Sequence, residues 1–407
     1  MELDYAVIWD WLAFAVRWAH VIVGIAWIGS SFYFIALDLG LRKADDMPQG
    51  VHGEEWQVHG GGFYHIEKYL VAPQRLPQHL TWFKWESYST WLTGFAMLAV
   101  LYYAQAELYL IDRTVADLSV WQAVAISAGS LVLGWVVYDR LCKATEGYNM
   151  WALMAVLFVI VVAACWAYMQ LFSSRAAFLH TGALIATWMS GNVFFVIMPN
   201  QRVVVADLQA GRTPDARYGV IAKQRSTHNN YLTLPVLFFM LSNHYPLAHG
   251  TQYAVAIAAL VLLMGVTIRH YFNTKHVTGE GPLWTWIATF LLFLTAAWLS
   301  TVPKVGVAEA QASTSARVER VMAAPGFDEA AAIVQGRCSM CHAAEPAWDG
   351  IHWPPKGVML EDEAQIAAQA RAIYLHSAMS HAMPPGNLSG MTQAERATLR
   401  DWYRGLR

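Results

Sequence analysis

The residues best placed to do chemistry lie late in the chain: Cys338 and Cys341, separated by Ser339 and Met340 and followed at once by His342. Two thiols at this spacing can each form a thioether to a haem vinyl group, and the adjoining imidazole then becomes the proximal iron ligand. The second axial ligand must come from elsewhere. Met383 is the expected one, because Pro384 and Pro385 deny the chain a helix there and hold it in an extended turn. Met340, Met359, Met379 and Met391 are its competitors. A zinc knuckle is the alternative to haem, but it wants four nitrogen or sulfur ligands, and His352, His376 and His381 come without further cysteines. Covalent haem c is therefore the expected cofactor, with Cys338, Cys341, His342 and Met383 its ligands.

Around this motif the sequence predicts a small helical domain. A helix over 327–335 delivers Cys338, and a second over 362–377 carries Ile366, Ala370 and Ile373 on one face. A third opens with the capping box Thr392 to Glu395 and presents Leu399, Trp402 and Tyr403. Helices at both ends with aromatic residues at their crossing resemble class I cytochromes c. That resemblance implies haem attachment on the outer side of a bacterial inner membrane, and so a periplasmic C-terminal domain. Cys142 and Cys165 are not expected to form a disulfide, one lying near a helix end and the other inside an apolar run.

The rest of the chain reads as membrane. Of 407 residues 56% are hydrophobic and only 14% charged, with 19 tryptophans, and the net charge of −2 gives no basic excess that would suggest nucleic acid. Apolar stretches of spanning length, roughly 20 residues, fall at about 9–38, 87–109, 119–138, 149–171, 177–199, 229–247, 252–274 and 283–302. Lysine and arginine crowd the connections after the first, third, fifth and seventh of these, whereas the other side holds Arg113 and Arg175. Basic loops stay cytoplasmic, so both termini are expected to be periplasmic, beginning with the acidic Glu2 and Asp4, and the first span is read as a retained helix. The expected fold is all-α: a polytopic bundle of about eight transmembrane helices over 1–302, a linker at 303–325 and a cytochrome c domain over 326–407, in a bacterial inner membrane with lipid around it.

Polar residues inside spans are costly and mark function by default. Arg17 and His20 share a face of the first span, and His180 and His244 lie toward the same outer side. These three histidines are candidate ligands for a membrane haem or metal. On the inner side, His59 to Tyr69 contains three successive glycines, and Asn200-Gln201-Arg202, His228-Asn229-Asn230 and Arg269-His270-Tyr271 end later spans. Amides, guanidinium and imidazole beside aromatic rings suit a flat polar heterocycle.

The stretches 59–64, 82–86 (Trp-Phe-Lys-Trp-Glu) and 191–201 (Gly-Asn-Val-Phe-Phe-Val-Ile-Met-Pro-Asn-Gln), with the span-plus-cytochrome arrangement, resemble the membrane-bound cytochrome c urate oxidases of PuuD type. The resemblance covers the whole chain. It implies oxidation of urate to 5-hydroxyisourate, with electrons passed to the respiratory chain through a soluble cytochrome c or a terminal oxidase. Urate is a planar anion, so the expected site takes Arg202 as its two-pronged partner, Gln201, Asn229 and Asn230 as amide readers, and His228 as base, with the glycine-rich segment folding over them. An inner site lies about 30 Å from a periplasmic haem, which calls for a deeper substrate site or for an intermediate haem b or metal. A quinol-linked electron conduit without urate chemistry is the alternative reading.

Overall fold

The computed structural model describes residues 5–69, 73, 76–113, 115–146, 149–301, 316–349, 351 and 354–406. Glu2, Asp4, His352 and residues 302–315, the first part of the expected linker, lie outside the described residues.

Long helices form wherever the apolar stretches lie: α1 (Tyr5–Gly40), α2 (Trp85–Met97), α3 (Val120–Ala144), α4 (Met150–Met169), α5 (Ser174–Gly191), α6 (Met198–Gln209), α7 (Arg217–Leu241), α8 (Ala254–Thr278) and α9 (Trp284–Thr301). Their starts are locally encoded. Ser119 and Gln122 make a reciprocal capping box before α3, and the Asn149 and Ser173 side chains cap α4 and α5. Wider turns at Leu98–Tyr103 and Asn192–Ile197 continue α2 and join α5 to α6. Such π turns shift the side-chain register and recur at functional sites.

The protein is an all-α membrane bundle. Among the described residues six helices are long and apolar enough to cross a bilayer: α1, α3, α4, the joined α5 and α6, α8 and α9. The α2 segment and α7 fall short of that measure. In α7 the reason is specific: Arg225, His228, Asn229 and Asn230 are all buried within it, which lowers its hydropathy, and most of their polar groups bond to neighbours inside the bundle. The helix accordingly starts at Arg217, ahead of the expected 229, and Arg225, read from the sequence as a loop cation, is an interior residue.

Small residues set the helix spacing. A side-chain carbon on Gly191 would sit 2.4 Å from Trp135, and one on Gly265 would sit 2.6 Å from Pro235, the proline within α7. Trp188 stacks on Tyr138 at 4.8 Å in the centre, whereas Trp11, Val21, Ile25, Ile287, Phe290 and Leu291 face outward, as lipid contact requires.

The glycine run is a hairpin turn. Strands β1 (Val51–His59) and β2 (Gly62–Tyr69) pair antiparallel, His59 opposite Gly62. Gly60 and Gly61 both take positive φ, the geometry of a tight turn between twisted strands. The hairpin is fastened to the C-terminal end of α1 through Tyr33 to Gln57 and Lys68 to Asp38.

In the C-terminal domain α10 (Ala316–Met322) lies within the stretch read as linker, and its Val321 is buried in that domain's core. Helix α11 (Phe327–Cys338) meets α12 (Gln393–Gly405) where Phe327 packs on Trp402 at 6.0 Å. The expected middle helix is broken into Glu363–Ala368, Ala370–Ile373 and a π turn at Tyr374–Met379. Val7 of α1 packs against this core, and a side-chain carbon on Gly357 would lie 3.8 Å from Pro246, just beyond α7. The domain therefore caps the bundle end opposite the hairpin.

Candidate functional site

The densest polar cluster lies between α3, α5 and α7. Arg225, His228 and Asn229 recur at helical spacing and so share a face of α7, while the π turn brings Asn192 into the same interior. Asn192 donates through Nδ2 to Tyr138 Oη at 2.8 Å and to Asn229 Oδ1 at 2.9 Å. Asn229 donates in turn to the Met189 carbonyl at 3.0 Å. Arg225 donates to Asn192 Oδ1 at 3.2 Å and to Asp139 Oδ1 at 2.9 Å, with its guanidinium over the Tyr138 ring. Tyr138 Oη meets His228 Nδ1 at 2.9 Å. Because the phenol oxygen already accepts from Asn192, its own proton is assigned to Nδ1, which leaves the hydrogen of His228 on Nε2. That atom is buried and has no partner. A buried N–H without an acceptor costs about 1–3 kcal/mol, the kind of deficit a bound ligand or water removes.

A second buried cation stands on the other side of α7. Arg269 of α8 and Asn273 close on the Asn230 side chain, at 3.3 and 2.9 Å, and Arg269 also reaches Asn273 at 3.1 Å while lying over the Phe32 ring of α1 at 4.4 Å. Its hydrogen bonds go to amides, and no carboxylate pairs with it among the described residues.

These positions correct part of the expected site. His228 and Asn229 do come together, but Asn230 points to the Arg269 side. Gln201 and Arg202 are exposed on α6, about 14 Å along the helix beyond Asn192 at 1.5 Å per residue, and so join neither cluster. The assigned tautomer makes His228 a donor at Nε2 and leaves its acceptor nitrogen, Nδ1, on Tyr138 Oη. Tyr138, Asp139, Asn192, Arg225 and Asn273 were missed. Asn192 and Arg225 carried a signal, being polar residues at helical spacing from other polar residues beside or within apolar runs.

The three membrane histidines separate. His180 is fully buried with both ring nitrogens engaged, Nδ1 with the Ala176 carbonyl at 2.7 Å and Nε2 with Ser127 Oγ at 2.5 Å, so neither is left for a metal, contrary to expectation. His20 and His244 both line a chamber of about 230 Å³ between α1, α2, α5 and the end of α7.

In the C-terminal domain Cys338 and Cys341 are not joined in a disulfide. Burial pushes the Cys338 thiol up to about 12, with a contribution from neighbouring Cys341. His342 Nδ1 bonds the Val358 carbonyl at 2.8 Å, which fixes the ring and leaves Nε2 to meet a metal, the usual arrangement of a ligating histidine. Met383 is half-buried, its N–H on the His376 carbonyl at 2.8 Å and its carbonyl held by Arg396 at 2.9 Å. Of its competitors Met391 is buried in the core, whereas Met359 and Met379 are exposed. These residues fit a covalently attached haem.

A family model described as urate oxidase N-terminal matches residues 6–300, which takes in the whole bundle and stops short of the Cys338 to His342 motif. No curated protein and no solved structure matches the chain.

Proposed function

The chain belongs to the urate oxidase N-terminal family, and on that premise we propose that its membrane domain oxidises urate to 5-hydroxyisourate and passes the electrons to haem c on its own C-terminal domain. The reaction balances with water: urate and one water give 5-hydroxyisourate, two protons and two electrons. Cys338, Cys341, His342 and Met383 would hold haem c, which would supply a one-electron iron couple for passing the two electrons singly to a respiratory acceptor.

The observation that carries this reading is Arg269. A guanidinium buried among amides and an aromatic ring, with no carboxylate paired to it among the described residues, is an unneutralised charge in a low-dielectric interior, and a flat anion with carbonyl and N–H edges suits these neighbours. Arg269 offers two parallel donors to the anion, Asn230 and Asn273 each offer a donor and an acceptor, and Phe32 offers a face. On the opposite face of α7, the Tyr138 and His228 pair supplies an imidazole that can take up a proton at one nitrogen and release one at the other, a route for the protons urate gives up.

The test is anaerobic mixing of the oxidised full-length protein with urate while the c-type haem absorption is followed. Reduction of the haem with formation of 5-hydroxyisourate is the expected result. Reduction by a quinol and none by urate overturns the proposal in favour of an electron conduit.

A further inference from the structure

The chamber between α1, α2, α5 and the end of α7 has the features of a cofactor site. Its walls are apolar and partly flat, including Trp27, Trp91, Phe95, Leu101 and Leu179. Its rim carries Arg17 and Arg175, and among the described residues neither forms an ion pair with a carboxylate. Arg175 instead donates to Asn243 Oδ1 at 3.2 Å and lies over the Tyr109 ring. One turn inward from Arg17, His20 enters the chamber with its Nδ1 bonded to the Thr90 carbonyl at 3.1 Å and to Thr93 Oγ1 at 3.0 Å. Gly94 makes room for that ring: a side-chain carbon there would lie 3.0 Å from His20 Cε1.

We infer that this chamber binds a second, non-covalent haem, with His20 Nε2 as an axial ligand and Arg17 and Arg175 holding the two propionates. Three observations converge on a tetrapyrrole. Pinning Nδ1 against a backbone carbonyl sets the tautomer that presents Nε2 to a metal, as second-shell partners of ligating histidines do. A large flat apolar body suits the walls, whereas urate, polar on every edge, would leave its hydrogen bonds unmade against them. Two cations at one end of an apolar chamber match a ligand that carries two carboxylates at one end.

The location gives the haem a role, which rests on the proposed urate chemistry. The rim residue His244 is followed by Tyr245 and Pro246, a side-chain carbon on Gly357 would lie 3.8 Å from Pro246, and the next residue, Val358, accepts the hydrogen bond from His342. An electron arriving at the chamber thus has a short covalent and van der Waals route to the proximal ligand of haem c. At the other end, Ser190 lines the chamber two residues before Asn192 of the polar cluster. A ferric centre here takes one electron from the substrate side and gives that same electron to haem c, so no further oxidant is needed, and the distance of about 30 Å across the hydrocarbon is divided into two shorter steps.

Pyridine haemochrome spectra of the full-length protein, purified in mild detergent from haem-replete cells, test the site without urate. The wild type is expected to show c-type and b-type haem in equal amounts. His20→Ala should keep the c-type haem and lose the b-type. Thr93→Val, which removes one partner of the ring and leaves the ligand, should lower retention of the b-type haem about tenfold, and Arg17→Gln with Arg175→Gln should lower it further. A wild type with c-type haem alone, or b-type haem undiminished in His20→Ala, overturns the inference. The two proposals fail separately: urate-driven reduction without b-type haem removes the chamber site alone, and b-type haem in a protein inert to urate removes the urate reading alone.

Discussion

Two arginines buried against opposite faces of one region of the bundle have opposite electrostatic circumstances. Arg225, 2% exposed, is paired with Asp139, bonded to Asn192 and laid over Tyr138. Arg269, 7% exposed, has amides and a phenyl ring. A buried cation beside its counter-ion is neutralised, as Arg225 is although its Nε has no partner; one without a counter-ion lacks that neutralisation. On the proposed function, the difference separates a residue that builds the site from one that recognises the ligand, although their side chains are identical.

The comparison breaks most readily at Asp139. Asp139→Asn strands Arg225 without a carboxylate and should cost about 3–5 kcal/mol of stability, read as a lowered thermal transition in detergent. Adding Arg225→Met to the same chain should recover most of the loss. If the single variant melts like the wild type, Arg225 is not neutralised by this pair and the contrast with Arg269 disappears.

His228 belongs to the completed cluster but retains the unpartnered Nε2. His228→Gln should lower turnover about a hundredfold while binding of a non-oxidisable urate analogue changes little. Equal losses in both would place His228 among the groups that merely hold substrate. At Arg269 the pattern should invert: Arg269→Gln removes the hydrogen bonds to the anion and weakens analogue binding about tenfold or more, whereas Arg202→Gln, on the exposed face of α6, leaves binding unchanged. Sensitivity at Arg202 and none at Arg269 would return the anion site to the position expected from sequence.

The smallest effect concerns a guanidinium at the surface of the C-terminal domain, where Arg337 pairs with Glu395 at 2.8 Å. Hydrogen bonding from the Thr392 backbone N–H, followed by that from Arg337, holds the Glu395 carboxyl below the usual carboxylate range. A carboxyl depressed in the folded state contributes stability above its unfolded pKa and loses it as pH falls through the folded value. The melting difference between wild type and Glu395→Gln should therefore be present at neutral pH and vanish in acid. A difference independent of pH would assign the effect to the capping geometry alone.

Where the sequence was informative, the signal was local. Covalent spacing placed Cys338, Cys341 and His342 together, whatever the surrounding fold. The capping box at Thr392 and Glu395 formed as read, since its donors and acceptors are within one turn, and long apolar runs became helices because a bilayer leaves the backbone no other partners. The pairing of residues far apart in the chain was a different matter. Nothing local says that Asn192 turns inward at a π turn, that Asp139 reaches Arg225 86 positions away, or that His180 spends both ring nitrogens on Ser127 and Ala176 while His20 keeps one for the chamber. Asn229 and Asn230 adjoin in sequence yet serve different faces of α7, because a helix turns about 100° per residue. The sequence by itself determined which groups the membrane interior would have to accommodate; the packing of helices decided which of them neutralise one another and which are left to meet a ligand, since that depends on distances and burial that exist only once the bundle is assembled.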